Sequence, residues 1–560
     1  MLKIEDIKEP SLLIERGGEI KLLKGEFKRL KNLAELEVLH LNHPNKIVFI
    51  TPFCVARENG MEVNGDEDIL VIKVKEERSV SSDEIKKLKK EDGIKFKEKI
   101  KPSISDSDFA KEVKKIQEEE IAEGNACQVV YSRKFEGVLC DASPKIPLML
   151  FNRLLKQKGG YLTFLFSDGK GRYFVGATPE RQLEIHDGEV IKNPLAGTMP
   201  KGNIADFKER LDVFLKDQKE INELSQILDE ELKIMSQICP KGGKILGPFL
   251  REAGAVIHTE YRLIGHSNKS SIESLKESFH APTLVGSPLI SAFRIIANHE
   301  RHTRRYYGGE IGVLEKNGDM YSAILIRTAE IFNDGRVVVQ AGAGIVRDSV
   351  PQKEAEETTA KASGLISALN GDMSASKKFL TEEMIKDANL SLKKRNRTFS
   401  SFHFEDQMNL IGSHNAKDYK ITIINNEDNF AVILGHITRH MGYITKVVDT
   451  FEYSLDDDNA DIVIIGPGPG DINDASNDRM KRLLKITKKL IDNNKPTLGI
   501  CLGIQAIAKV LRMPVVKQTI PTQGLQEEID FFGSNEKIGL YNSFSPVNKN
   551  TPSNLEVSIN

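Results

Sequence analysis

The chain has 560 residues, 39% hydrophobic and 29% charged, which fits folded globular protein and, at ~150 residues per domain, three to four domains. Lys and Arg total 79 against 81 Asp and Glu, so no basic surplus exists to neutralise a nucleic-acid backbone. No apolar run reaches the ~20 residues of a membrane span, the N-terminus lacks a signal peptide's apolar core, and five scattered cysteines make neither a disulfide framework nor a zinc site; a cytoplasmic protein without nucleic-acid or membrane partners is expected.

In chain order, the apolar runs 46–53 and 69–74 predict strands, and the Lys/Glu-rich stretch 83–101 an exposed helix or connector. From Ser103 long helices alternate with β-rich stretches. Helices are predicted over 106–124 and 217–238, and after Ser349, where Ser349-Val350-Pro351-Gln352 supplies a capping box and an early proline. Strands are predicted at 128–132, 161–166, 173–176, 320–327 and 337–341. A composition shift after Leu369 predicts a linker over 371–418, with the basic cluster 392–397 on a solvated face. Beyond it, 420–424, 443–448, 461–465 and 496–500 predict buried parallel strands with helices between them, the alternation of a doubly wound sheet. The expected domains are 1–370 (an N-terminal segment over 1–102 and a core over 103–370), the linker, and 419–560.

Near the C-terminus, Cys501 stands between Gly499 and Gly503 where a strand runs into a helix predicted over 504–511. That is the pattern of a nucleophile elbow: the glycines permit the tight turn and a helix N-terminus favours the thiolate. A buried structural cysteine is the alternative. Upstream, Gly466-Pro467-Gly468-Pro469-Gly470-Asp471 lacks a phosphate loop's Lys, and its prolines carry no N–H, so it suits a rigid turn offering one or two donors to an oxyanion.

Together these segments resemble a class I glutamine amidotransferase domain. The resemblance implies that Cys501 attacks the glutamine amide, Gly468 helps form the oxyanion hole and Gln505 touches the substrate. Two departures stand out. Ile504 occupies a position where the family usually has His, and the family's His-Pro-Glu lies beyond the segment Tyr541-Asn542-Ser543-Phe544, after which 16 residues follow without a histidine. A cysteine without its base is a weak glutaminase, so the domain is expected to be incomplete or impaired.

Glu220 and Glu223, and again Glu354 and Glu357, are i,i+3 pairs on predicted helices. Four carboxylates on two helices suit a hard cation such as Mg²⁺, although such pairs are also common on solvated faces. The surrounding blocks GATPERQ (176–182), PLAGT (194–198), YGGEIG (307–312), ILIRT (324–328) and QAGAGIVRDS (340–349) resemble the chorismate-utilising enzymes. The blocks HTEY (258–261) and APTLVGSP (281–288) resemble the phenazine-type 2-amino-2-deoxyisochorismate (ADIC) synthases, a synthase fused to an amidotransferase. The fold so implied is an α+β synthase of two packed sheets with outer helices, followed by a doubly wound α/β (flavodoxin-like) amidotransferase domain.

The resemblance implies that Glu220, Glu223, Glu354 and Glu357 hold Mg²⁺, which clamps the ring carboxylate of chorismate. Arg327, Tyr307 and the backbone of Gly342, Ala343 and Gly344 would bind the pyruvyl carboxylate, Thr198 and Thr283 would contact substrate, Glu180 would be the acid for the departing 4-hydroxyl, and His258 would line the ring. Water-using relatives carry a Lys base where Gln128 stands here. A Gln cannot deprotonate water, whereas ammonia attacks with its own lone pair, so amination at C2 fed by glutamine or free ammonia is expected, in a homodimer. Anthranilate synthesis is the alternative within the class, and an impaired regulatory protein the alternative outside it.

Overall fold

The computed structural model describes residues 2–87, 93–157, 160–253, 256–371, 379–396, 399–407, 418–519, 522, 525–531 and 533–547. Between Pro10 and Val346, eighteen strands join in one antiparallel ladder. It starts at Phe96–Pro102, passes through Gln128–Leu139 and Arg336–Val346, and reaches Leu162–Asp168. The N-terminal strands are woven into its middle: Pro10–Arg16 pairs with Leu162–Asp168, and Ile47–Thr51 with Glu310–Leu314. The ladder then runs through Arg181–His186 and Val256–His266 to Gly243–Ala253.

The ladder folds over so that its two halves face one another. Leu12, Phe164, Phe166 and Phe174 from one half meet Val48, Ile50, Ile72 and Val313 from the other in a single apolar layer. Helices Lys145–Gln157 and Pro351–Asn370 cover the outside of the first half, and Leu33–Asn42, Gln218–Ile238 and Ser271–Ser278 the outside of the second. The two expected sheets are therefore two faces of one ladder. Arg133, fully buried, ties these layers together: Nε donates to Thr358 Oγ1 at 2.9 Å, Nη2 to the Ala355 carbonyl at 2.8 Å, and Nη2 pairs with Asp106 at 2.7 Å. It thereby fixes the helix carrying Glu354 and Glu357 against the strand that begins at Gln128.

Several local expectations change. The stretch expected as exposed helix or connector contains a short helix, Ser82–Lys87, and an edge strand, Phe96–Pro102. The helix expected over 106–124 stops at Ile116, passes through a π turn over 117–121 and ends in a tight turn. Ser349 does not cap Pro351–Asn370: Val350 stands at the N-cap with Pro351 after it, and the Ser349 hydroxyl instead accepts from Val346 N at 3.1 Å. Within 371–418 helix Glu382–Arg395 forms, and Arg395 is buried rather than solvated, because its guanidinium donates to the carbonyls of Phe214 and Leu215 at the end of another helix. Arg397 lies outside the described residues.

The C-terminal unit has four parallel strands in the order Ile444–Asp449, Lys420–Asn425, Ile462–Ile465 and Thr497–Gly499. Helices Phe430–His440, Asp478–Asp492 and Leu502–Val510 flank them, which is the expected doubly wound pattern. The helix after Cys501 starts at Leu502, two residues earlier than expected, because the turn at Cys501 feeds straight into it.

Helix Gln218–Ile238 reaches both units. Its inner stripe (Leu224, Ile227, Leu228) packs on the ladder, while Lys233 makes an ion pair of 2.6 Å with Asp428 and Asp229 accepts from the Tyr541 hydroxyl at 2.8 Å. Truncating Leu228, which is completely buried, leaves a cavity under the ladder: Leu228→Ala is expected to cost about 2–5 kcal/mol in urea unfolding, and a loss below about 1 kcal/mol contradicts this packing.

Candidate functional site

A cavity of about 80 Å³ opens between the end of the ladder and the two glutamate-bearing helices. Gln128, Glu180, Thr198, Glu223, His258, Thr283, Tyr307, Arg327, Gly342 and Gly344 line it, so the separated sequence blocks converge on one pocket. Close packing favours one glycine here: a Cβ on Gly342 would lie 3.0 Å from the Tyr131 carbonyl oxygen and 3.0 Å from the Tyr307 hydroxyl. Ala343 turns the other way, its methyl packing with Phe109 and Tyr131 in the core, as alternation along the strand requires.

Glu180 is buried. Its Oε1 accepts from Thr283 Oγ1 at 2.9 Å and from Leu195 N at 3.3 Å. Burial pushes its carboxyl up to about 8, against the smaller opposing effect of these bonds. With Oε1 accepting twice, Oε2 is left to carry the proton. Behind it Lys192 and Glu231 form a fully buried ion pair at 2.6 Å.

His258 is held down to about 3 by burial and by the charge of Arg327. It is therefore neutral, with Nδ1–H donating to the Gly197 carbonyl at 2.9 Å, which leaves Nε2, unpartnered, as an acceptor. The nearby Thr198 hydroxyl lies 3.3 Å from Nδ1. Arg327 lies beyond the strand predicted for it, which ends at Ile324. It sits at φ 51°, where non-glycine residues are strained, and donates to the Lys361 carbonyl.

Three of the four glutamates meet around a lysine. Lys219 Nζ stands 3.6 Å from Glu220 Oε1, 3.6 Å from Glu223 Oε2 and 3.7 Å from Glu354 Oε1. Glu357 pairs instead with Lys361 at 2.6 Å. Burial raises the Glu220 carboxyl to about 8 and that of Glu354 to about 7. For Glu357 burial acts the same way, but Lys361 and Lys219 outweigh it and hold the carboxyl below its ordinary value. Among the described residues no three His, Cys, Asp or Glu side chains already stand at metal-binding geometry; here an ammonium stands between Glu220, Glu223 and Glu354.

Sequence reasoning missed Lys219 and Lys361. Lys361 lines the pocket and donates to the Gly342 carbonyl at 3.0 Å. Its signal was the i+4 step from Glu357, which puts both side chains on one helix face. Lys219 had only its place beside Glu220.

In the C-terminal unit, Cys501 takes φ 52° at the strand-to-helix turn, the strained conformation of an elbow. Burial pushes its thiol up to about 11, reinforced by Asp428 and opposed by the backbone N–H groups of Leu502 and Gly468. Both donors face the sulfur. Its sulfur also contacts the Tyr541 carbonyl at 3.8 Å, and among the described residues no histidine hydrogen-bonds it. Gln505 is buried, with Nε2 donating to the Phe544 carbonyl at 3.2 Å and Oε1 unpartnered.

With this geometry in place, comparison with known proteins gives two family matches: chorismate binding enzyme over residues 37–367 and class I glutamine amidotransferase over residues 422–559. The chain is similar to the phenazine-specific anthranilate synthase of Pseudomonas chlororaphis, with 34% identity over 96% of this chain and 85% of that protein. Its fold is similar to those of the menaquinone-specific isochorismate synthase of Escherichia coli (TM-score 0.56, 20% identity, 66% of this chain and 91% of that one) and anthranilate synthase component I of Streptococcus pneumoniae (TM-score 0.51, 22% identity, 64% and 90%).

The buried Glu180 carries a stability consequence. Its folded carboxyl titrates above its unfolded one, so the unfolded chain releases the proton first and stability falls as pH rises from about 4.5 to about 8. Glu180→Gln removes this cost: the variant is expected to match wild type near pH 4.5 and to exceed it by up to ~5 kcal/mol above pH 8 in urea unfolding. Equal stabilities across that range contradict a neutral buried Glu180.

Proposed function

The chain belongs to the chorismate-binding enzymes and carries a class I glutamine amidotransferase domain in the same polypeptide, and on that footing we propose that it converts chorismate and ammonia into ADIC and water, with glutamine as the ammonia source. Ammonia adds at C2, the ring double bonds shift, and the C4–O bond breaks as the 4-hydroxyl takes a proton and leaves as water. The observation that carries this reading is that the buried Glu180, whose carboxyl burial pushes up to about 8, and the neutral amide of Gln128 line one pocket: an acid for the leaving hydroxyl, and no base at the Gln128 position to activate water.

Two cationic side chains, Arg327 and Lys361, face a cavity that Tyr307 also lines, and they suit a dicarboxylate such as chorismate. Arg327 and Tyr307 orient the pyruvyl carboxylate, and the neutral His258 offers Nε2 as an acceptor that positions the ring. Glu220, Glu223, Glu354 and Glu357 fit Mg²⁺ by chemistry: all are hard oxygen donors, three already surround one cation, and Glu354 Oε2 is buried without a partner. When bound, the ion would neutralise the ring carboxylate and orient it. In the C-terminal unit Cys501 would attack the glutamine amide, with Gly468 and Leu502 N–H stabilising the oxyanion. A homodimer and a cytoplasmic location belong to the same proposal.

Purified chain given chorismate, Mg²⁺ and either glutamine or a high concentration of ammonium, both between pH 7 and 8 so that Glu180 keeps its proton, tests it by mass spectrometry and fluorescence. ADIC mass without anthranilate fluorescence is expected, anthranilate would move the product to that of the alternative synthase, and no aminated product with either nitrogen source would overturn the reading. At a constant concentration of free NH3, the ammonium-driven rate should fall as pH rises through about 8, where Glu180 loses its proton, and Glu180→Gln should lower kcat by roughly 10²-fold or more. A rate unaffected by either contradicts the acid role. Because the Lys219 ammonium occupies the place between the glutamates, Lys219→Met should tighten Mg²⁺ binding roughly tenfold, a change of about 1.4 kcal/mol, in a thermal-shift titration. Unchanged or weaker binding contradicts that competition.

A further inference from the structure

The loop Gly466–Gly470 contains three N–H groups, since Pro467 and Pro469 have none. The Gly466 N–H donates to the Ile424 carbonyl at 3.0 Å within its own domain. The Gly470 N–H leaves its domain and donates to the carbonyl of Gly124, in the synthase, at 3.3 Å. The Gly468 N–H faces Cys501. The peptide between Pro469 and Gly470 is thus held at both ends: Arg479 Nη2 donates to its carbonyl at 2.6 Å, and Gly124 accepts from its N–H. Only the Gly468–Pro469 peptide separates it from the peptide that carries the Gly468 N–H.

The synthase side of this contact is a rigid turn. The Gly124 N–H donates to the Ile121 carbonyl at 3.1 Å, and Asn125 donates twice to Glu120, from its backbone at 2.9 Å and from Nδ2 at 2.9 Å. Glu120 in turn meets His299 Nε2 at 3.2 Å, while Nδ1 of that ring meets Glu112 at 2.8 Å. Both ring nitrogens therefore face carboxylates, as a charged imidazolium requires. Gly124 stands at φ 82°, a conformation that favours glycine, and a Cβ there would lie 3.3 Å from Ser543, in the segment that borders Cys501. Four residues further on is Gln128 in the synthase pocket. One short segment therefore touches the glutaminase loop at one end and the amination site at the other.

We propose that Gly124 is a positioning residue for the glutaminase centre: its carbonyl, presented by a turn of the synthase domain, fixes the Pro469–Gly470 peptide so that the Gly468 N–H is aimed at the oxyanion formed on Cys501. Each domain alone is then an incomplete glutaminase, because one hydrogen bond of the oxyanion loop is supplied from the synthase. The inference rests on the glutaminase reading above and is separable from the amination chemistry.

The test uses the full chain as wild type, Gly124→Ala and Asn125→Ala. The rate of Cys501 labelling is read on its own peptide by mass spectrometry, once with the glutamine analogue 6-diazo-5-oxonorleucine and once with iodoacetamide, which needs no oxyanion hole. Ammonium-driven amination is measured alongside as a report on the synthase. Analogue labelling should slow at least about fivefold in Gly124→Ala, with iodoacetamide labelling within about twofold of wild type and amination unchanged. If Gly124→Ala loses its ammonium-driven rate and has therefore misfolded, Asn125→Ala, which only loosens the turn, decides by the same split. Unchanged analogue labelling, parallel slowing with both reagents, or a wild type that the analogue does not label each overturns the proposal. A labelling split in a chain that fails to aminate chorismate with ammonium would sustain this inference while removing the amination reading.

Discussion

An ionised carboxylate buried without a partner costs several kcal/mol, so a protein that carries many carboxyl groups into one pocket must pair them or keep them neutral. The synthase pocket does both. Glu180 stays neutral, pushed up to about 8 by burial. Glu220, Glu223 and Glu354 surround the Lys219 ammonium, and Glu357 pairs with Lys361. The division of labour follows from this: the neutral carboxyl can give a proton, the clustered ones attract a cation, and Arg327, which bonds a carbonyl rather than a carboxylate, is left for an anionic substrate.

Helix Gln218–Ile238 carries this arrangement across the molecule. Its first turns bear Lys219, Glu220 and Glu223, its middle packs Leu224, Ile227 and Leu228 on the ladder, and Glu231 pairs with Lys192 beneath the pocket. Its last turns meet the amidotransferase through Asp229 and Lys233. The distance from Glu220 to Lys233 is thirteen steps along one rigid helix, or about 20 Å. A change at the glutamates and a change at the domain junction are therefore changes to the same element.

Sequence reading located this pocket well because its chemistry sits in short contiguous blocks. Glu180, Arg327, Tyr307 and the glutamate pairs each lie inside a motif, and the parallel strands of the C-terminal unit are apolar runs with helices between. What sequence could not show was direction and pairing. Ala343 belongs to a motif but alternates into the core. Arg327 reads as strand but sits after it at positive φ. Ser349 reads as a cap but bonds backward to Val346, and Arg395 reads as solvent-exposed but closes the end of a distant helix. Lys219 and Lys361 were hidden for a simpler reason: a lysine in a Lys/Glu-rich helix is ordinary until a third group from another helix meets it. The contact between Gly124 and Gly470 joins residues almost 350 positions apart and involves no side chain, so no pattern in the sequence could carry it.

The proposed chemistry turns on Glu180 entering the reaction as a neutral acid because burial holds its proton. Difference infrared spectroscopy of wild type against Glu180→Gln isolates the carbonyl stretch of that one protonated carboxyl. The band is expected to be present at pH 6 to 7 and to disappear as pH rises through about 8. A band that is already gone by pH 6, with loss centred near the ordinary carboxylate value of about 4.5, would contradict it.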